Sequence, residues 1–426
     1  MTTAVAARMP MRTTATLAVA ALAAAAAPAS GAATRVSVVA PPSPLHDGFS
    51  VTAGLADRGA AVVGWTDGTS APRAVVATRS ARTGRFSAPR RIGAGRMAYV
   101  AISPDGRRAA AMWVTRSGRV RVADRTRSGR WAAQALPLLP GDATQSVLGL
   151  VVSGTGGATA LIEQRASQQW RLFVLRRSGA AWRTAASLAV PDDGGGTAAV
   201  ARDGSVVAAW IASGGDEGPR VVASRLPRAA GDWEPTQTLV RPDPGLTPVQ
   251  PFADVAADGG GLVLTAQQSA SGQARDARVY WGRPGGPWRM LPLEAQAAVG
   301  LSPAGRVWVA NASTSLVQAR TVDDDGRWAA AEPVGRVRPG RVSAGPGIQS
   351  AWNTVAAWWV VAGSAGRPDR WIVSTRGARG WSPARQVAAT RGVVAFAGGP
   401  GGLGAAFVDG ARGGRVSFAD LPAPGR

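Results

Sequence analysis

A glycine followed within three residues by an aromatic side chain recurs along this chain at near-regular intervals. The pairs are Gly84/Phe86, Gly129/Trp131, Gly179/Trp182, Gly231/Trp233, Gly286/Trp288, Gly326/Trp328 and Gly380/Trp381, and successive aromatics lie 45, 51, 51, 55, 40 and 53 residues apart. Between one pair and the next there is room for four short strands, and residues 197–240 show them most plainly. An apolar run at 197–201 meets the Asp203-Gly204 turn, and 206–211 carries the chain back. Asp-Gly between two strand-length apolar runs marks a hairpin, because the pair tolerates the positive φ that a tight turn demands. After a loop rich in glycine and acid, residues 220–225 form a third strand, and Gly231-Asp232-Trp233 opens a fourth that runs to Leu239. One such sheet cannot cover both of its own faces, so the units must stack on one another. Four strands in each period of about 40–50 residues predict an all-β protein, a β-propeller of four-stranded antiparallel blades.

The third strand gives a second landmark, a β-branched run often ending in Arg, at 75–79, 120–125, 172–176, 221–225, 279–283 and 371–376, with weaker copies at 317–321 and 416–420. The first hairpin turns at Asp57-Arg58-Gly59, Asp105-Gly106, Asp203-Gly204, Asp258-Gly259 and Ala304-Gly305. Elsewhere it is expected at glycine-rich sequence near Gly154, Gly345 and Gly399. The count is eight blades, with seven as the alternative if copy six or seven is an insertion; the first strand of copy seven has no clear place. Copy eight lacks the Gly-aromatic fourth strand, whereas residues 35–40 form a spare strand ahead of copy one. Pairing the two closes the ring and leaves no open sheet edge. Phe86, Trp131, Trp182, Trp233, Trp288, Trp328 and Trp381 are expected to wedge neighbouring blades. An indole buries roughly 150–250 Å², on the order of 4–6 kcal/mol each as an upper bound.

Residues 1–32 have the form of a secretory signal: Arg8 and Arg12, then an apolar stretch at 17–27, then the small-residue sites Ala27-Pro28-Ala29 and Ser30-Gly31-Ala32. A single propeller domain is then expected over 33–426. No later apolar run reaches the roughly 18–20 residues of a membrane helix; the closest, 350–366, carries Asn353 and Thr354. The chain has no cysteine, so an exported fold must rest on its core. A secreted or cell-wall-associated monomer is the expectation.

The formal net charge of +22 comes entirely from arginine; there is no lysine, and asparagine occurs twice. This is the composition a GC-rich coding bias produces, and nucleic acid is therefore not the expected partner. The field still draws anionic polymers, most strongly at low salt.

The turn ahead of the fourth strand resembles the Asp-box of sialidase-like propellers, in which Ser or Thr, Asp, Gly and Trp mark the third-to-fourth-strand turn of each blade. The nearest match is Thr321-Val322-Asp323-Asp324-Asp325-Gly326-Arg327-Trp328, with the glycine one place late. Other copies keep glycine and aromatic but lack the acid, so the repeats are degenerate. The resemblance implies the fold, and for an active sialidase it would also require an Arg triad, a Tyr nucleophile with a Glu partner and an acidic proton donor. Of the two tyrosines, Tyr99 and Tyr280, the second falls in a third strand, a packing position. His46, the single histidine, sits in what reads as a connector ahead of blade one, and neither a Ser-His-Asp set nor a zinc site is expected.

The resemblance also places ligands at the channel mouth, where second-to-third-strand loops and blade connections emerge together. Two neighbouring loops there are acidic, one with Asp192 and Asp193, the other with Asp216 and Glu217, and Asp142 lies on the preceding connection. Such carboxylates could bind Ca²⁺ or act as a pair in glycoside cleavage; the plain reading is that Asp and Gly are turn residues, and no cofactor is expected. Catalytic residues are not assignable. The function expected is a non-catalytic binding or scaffold propeller for a protein or an anionic cell-wall polysaccharide. The alternative is a glycan-acting hydrolase or lyase of sialidase-like type.

Overall fold

The computed structural model describes residues 35–421 apart from turns and loops of at most five residues each. The chain divides into two units, Met1–Ala32 and Ala33–Arg426, and every described residue belongs to the second. Its strands form eight antiparallel sheets, and no helix occurs among the described residues. The first blade consists of His46–Leu55, Ala61–Asp67, Arg73–Arg79 and Arg90–Ala94, hydrogen-bonded in chain order. Six more blades repeat that order, and the first strands of successive blades touch all the way round, from blade 1 through blade 8 and back to blade 1. Those strands therefore ring the axis, and the protein is an eight-bladed β-propeller. The seven-blade alternative fails because copies six and seven each form a full sheet, around Val307–Ala312 and Thr354–Val361.

Blade 8 is composite. Its order from the outside inward is Arg35–Ala40, Arg415–Leu421, Gly402–Asp409 and Val394–Gly399. Arg35 pairs with Asp420, Ser37 with Phe418 and Ala40 with Val416, with a register shift between Val38 and Ala40. The N-terminal strand thus supplies the outer strand that copy eight lacks.

The core is not one mass but eight clusters, each between two blades. A blade flanked on both sides buries both faces, and its middle strands then read as continuous apolar runs. Ala61–Asp67 and Ala109–Val114 are buried along almost their whole length. Blades converge toward the axis, so the innermost strands need small residues. A Cβ on Gly54 would lie 3.2 Å from the Ile102 backbone, one on Gly149 2.8 Å from Val200, and one on Gly300 3.0 Å from Ile348, each in the following blade. Toward the rim the wedge widens and aromatics fill it. Trp131, Trp182, Trp233, Trp288, Trp328 and Trp381 each join the cluster between their own blade and the preceding one, and Phe86 joins that between blades 1 and 8. Blade 8 has no such residue; Trp358, Trp371 and Phe396 pack against its boundary with blade 7, with ring centroids 5.0–6.4 Å apart.

The arginine at the end of the third strand accounts for the second sequence landmark in blades 1, 4 and 7, whereas in blade 3 the residue that acts is Arg177, one place beyond the landmark's Arg176. Arg79 reaches back to Asp420 of blade 8, Arg177 to Asp124 of blade 2, and Arg376 to Glu332 of blade 6. The same guanidiniums lie over aromatic rings: Arg79 over Phe418 at 4.8 Å, Arg177 over Trp182 at 5.8 Å, Arg376 over Trp308 at 5.0 Å. Arg225 covers Trp288 of blade 5 at 3.9 Å. Cation and ring attract through the ring's quadrupole, so part of the large positive charge is spent inside blade interfaces.

Departures from the repeat have local causes. Blade 5 splits its first strand into Thr247–Pro248 and Phe252–Val255, both paired with Gly261–Gln268, around Pro251, which has no N–H to give the ladder. Blade 7 splits its fourth strand at Pro383 in the same way. Gly345, expected at a hairpin turn, instead lies inside the first strand Val342–Ala351, whose end pairs Ala351 with Thr354. His46 opens the first strand of blade 1 opposite Asp67 and is not part of a connector.

Candidate functional site

One face of the ring carries the second-to-third-strand loops and the blade connections. On it, blades 1 and 2 form a cleft of about 780 Å³, lined by Ala71–Arg73, Arg91, Gly93–Gly95 and Thr115–Ser117 in residues 71–117. Its floor comes from the fourth strand of blade 1, Arg90–Ala94, and the single residue, Gly95, that joins it to blade 2. The indole of Trp113, itself buried, lies directly beneath; a Cβ on Gly93 would collide with that ring, and one on Gly95 with the Val114 carbonyl and the indole. Gly95 also has φ 136°, a conformation that side chains oppose. Glycine in the strand at 93 and in the connector at 95 thus lets the backbone sink onto the tryptophan and opens the cleft above it.

The walls are fixed. Gly95 N–H donates to Pro72 O at 2.8 Å. The loop after Trp113 is closed by the Gly118 N–H to Thr115 O bond at 2.9 Å, and it is anchored to blade 3 by Gln145, which accepts from Val120 N at 2.8 Å and donates its own N–H to Gly118 O at 2.9 Å. Arg116 donates to Ser70 O across the cleft. Arg73, Arg91 and Arg116 are exposed on the rim, and the lining contains no carboxylate among the described residues. A second cleft of about 500 Å³, lined by Pro41, Trp65, Asp67, Pro89, Arg90 and others, shares Arg91 with the first. Asp67 meets Arg91 there at 3.5 Å, a loose, solvent-facing pair. Three guanidiniums with planar donor forks above a glycine floor can grip carboxylates or sulfates on an extended ligand.

The acidic residues singled out from sequence, Asp192, Asp193, Asp216 and Glu217, lie outside the described residues, as do Asp142 and Asp323–Gly326 at 323–326. Among the described residues no three of His, Asp and Glu gather into a metal-binding group. Tyr280 is buried in the cluster between blades 4 and 5, and burial raises its pKa. Tyr99 sits on the innermost strand of blade 2, with its pKa likewise raised by burial. Asp254, on the innermost strand of blade 5, accepts from Leu301 N of blade 6 at 3.0 Å and from Val255 N at 2.8 Å; burial still pushes its carboxyl up. None of these touches the groove. Val322 bridges Trp328, so the Asp-box-like sequence lies between the third and fourth strands of blade 6, and Trp328 Nε1 donates to Pro292 O of blade 5 at 3.1 Å.

Fold and site define a β-propeller with a basic groove on its loop face. Among solved structures the chain is similar to Sqt1 of Saccharomyces cerevisiae, at a TM-score of 0.51 and 9% identity over 91% of this chain and 98% of that one. It is also similar to the Dos1 propeller (TM-score 0.49, 11% identity, 91% and 96% covered) and to the β-propeller domain of the trilobed protease from Pyrococcus furiosus (0.47, 12%, 82% and 97%). At such identities the likeness is one of fold alone. No protein-family model matches the chain, and no curated protein matches it in sequence. No helix among the described residues is long and apolar enough to cross a membrane.

Proposed function

We propose that the chain is an exported, non-catalytic binding propeller whose groove over blades 1 and 2 takes an anionic polysaccharide strand at the cell exterior. The observation that carries the reading is the rim of Arg73, Arg91 and Arg116 around a cleft with no carboxylate among its described lining residues. The signal-like residues 1–32 support the location, and the overall positive charge supports capture by long-range attraction.

Retention of the mature protein on immobilised polygalacturonate tests it. Elution is expected as salt rises between about 50 and 500 mM, because screening removes the attraction. The variant Arg73→Ala/Arg91→Ala/Arg116→Ala is expected to elute much earlier. A control that removes the same charge elsewhere, Arg58→Ala/Arg82→Ala/Arg85→Ala, is expected to stay close to the parent. Equal loss in both variants would reduce the effect to net charge and overturn the groove; retention on an acidic protein but on no polysaccharide would change the partner class.

A second reading, a sialidase-like glycan hydrolase or lyase, draws on the Asp-box-like sequence at 321–328 and on the acidic sequence around Asp192, Asp193, Asp216 and Glu217. It requires turnover on a glycoside panel that disappears in Asp193→Ala/Glu217→Ala. A parent inert on the panel removes it.

A further inference from the structure

The face opposite the groove carries the first hairpin turns, and there blades 3 and 4 line a basic hollow of about 160 Å³ that is open to solvent. Arg176, Arg177, Arg202 and Arg228 line it, together with the hydroxyls of Ser153, Thr155 and Thr159 and the carboxylate of Asp203. Most of that wall is held by bonds of its own. Arg177 is buried, pairs with Asp124 and donates from Nη2 to Gly156 O at 2.6 Å, while its Nε has no partner. Arg202 is drawn to Asp57 at 2.9 Å. Blades 1 and 4 are not neighbours, so that pair spans the mouth of the central channel. Asp203 spends both oxygens on Ser205, accepting from N at 2.8 Å and from Oγ at 2.9 Å.

The charges do not balance. Among the described residues, the four guanidiniums of the lining meet three carboxylates, Asp57, Asp124 and Asp203, and Arg108 adds a further positive charge where it lies against Gly156. Burial lowers the pKa of Arg176; Asp203 opposes it, and Arg228 adds a smaller lowering. Reach limits what can answer that charge: the hollow of about 160 Å³ is open to solvent and takes a small group, either alone or at the end of a larger molecule. Donors limit it too. Ser153 Oγ donates to Gly157 O at 3.1 Å and pairs with Thr155 Oγ1 at 3.0 Å, and Arg176 donates to Pro227 O at 3.2 Å, so the donors that face the hollow come chiefly from guanidiniums on separate segments. A tetrahedral oxyanion presents acceptors in every direction to such a set, whereas the two oxygens of a carboxylate lie in one plane.

We propose that the hollow between blades 3 and 4 is a binding site for one phosphate or sulfate group, either free or at the end of a larger molecule. The bound anion would hold the turns of blades 3 and 4 together beside the Arg202–Asp57 pair, independently of the groove on the other face.

Thermal unfolding of the mature protein, with inorganic phosphate or sulfate replacing chloride at constant ionic strength, tests the site. A ligand that binds only the folded chain raises the melting temperature along a saturation curve. That curve is expected for the parent, and Arg176→Gln/Arg228→Gln should weaken the apparent affinity at least tenfold while retention on polygalacturonate stays unchanged. If the double variant does not fold, the exposed Arg228→Gln alone decides, with a smaller weakening expected. Glycerol phosphate separates the sources: binding as tight as inorganic phosphate points to a carried group, weaker binding to the free ion. A rise that fails to saturate, or one that is equal in the variants, overturns the proposal.

Discussion

Arg79 and Asp420 are 341 residues apart in sequence, yet Nη1 of the first donates to Oδ2 of the second at 2.7 Å. The arginine also donates from Nε to Gly59 O at 2.9 Å and lies over the rings of Phe418 and Phe86. It joins blade 1 to the third strand of blade 8, the strand on which Arg35–Ala40 is laid. Ring closure thus has two parts, a strand pairing and a charged clasp beside it.

Removing one half of the clasp leaves the buried guanidinium short of an acceptor. Asp420→Ala is expected to destabilise the fold by about 1–3 kcal/mol, the usual cost of an unsatisfied charge-assisted bond. Urea unfolding should show a lower midpoint at an unchanged slope.

The Arg376–Glu332 clasp between blades 6 and 7 gives a pH signature. Hydrogen bonds from Arg376 hold the Glu332 carboxyl below its ordinary value of 4.5. A depressed folded pKa contributes stability above the unfolded value and loses it as pH falls through the folded value. Glu332→Gln should therefore be less stable than the parent at pH 7, by about 0.2–1 kcal/mol for a solvent-exposed pair, and the difference should vanish well below pH 4.5. Asp124 acts in the opposite sense, since burial holds its carboxyl above the ordinary range beside Arg177. That contribution is common to both proteins and cancels.

Two of the repeated indoles differ in burial and should differ in cost. Trp182 is 5% exposed and capped by Arg177, so Trp182→Ala is expected to cost about 3–5 kcal/mol, as buried aromatics do. Trp233 is half-buried at the edge of its cluster, and Trp233→Ala should cost less. Equal melting temperatures for Trp182→Ala and the parent would remove the inter-blade role.

Close approach at Gly404 makes a fourth test. A Cβ there would run into the ring of Phe418, which is fully buried between blades 8 and 1. Gly404→Ala should cost roughly 1–3 kcal/mol through overpacking, read again as a denaturation midpoint.

The blades were legible in the sequence because their landmarks are packing parts. The Gly-aromatic pair marks the wide end of the wedge, and the terminal Arg of the third strand marks the cation laid over an aromatic or paired with an acid across the boundary. Residues 35–40 were legible because an eighth copy without a fourth strand needs one. The first strand of blade 7 was not, since two register shifts and Gly345 break its alternation. The groove was missed altogether: Arg73, Arg91 and Arg116 come from three separate segments, and among 48 basic residues no spacing singles them out. A fainter sign was present in Gly93 and Gly95, one in the strand and one just past its end, which mean that something large lies close beneath. The acidic loops drew attention by composition and fall outside the described residues.

Strand pairing at the ring's closure can be tested directly, because the chain has no cysteine of its own. Val38 and Ser417 are cross-strand partners, and such Cα positions lie within disulfide reach, at about 4.5–5.5 Å. In Val38→Cys/Ser417→Cys, mild oxidation followed by peptide mass analysis should recover one disulfide joining the first strand to the last, formed within a single chain. Two thiols that stay separately reactive under those conditions would contradict the closed eight-bladed ring.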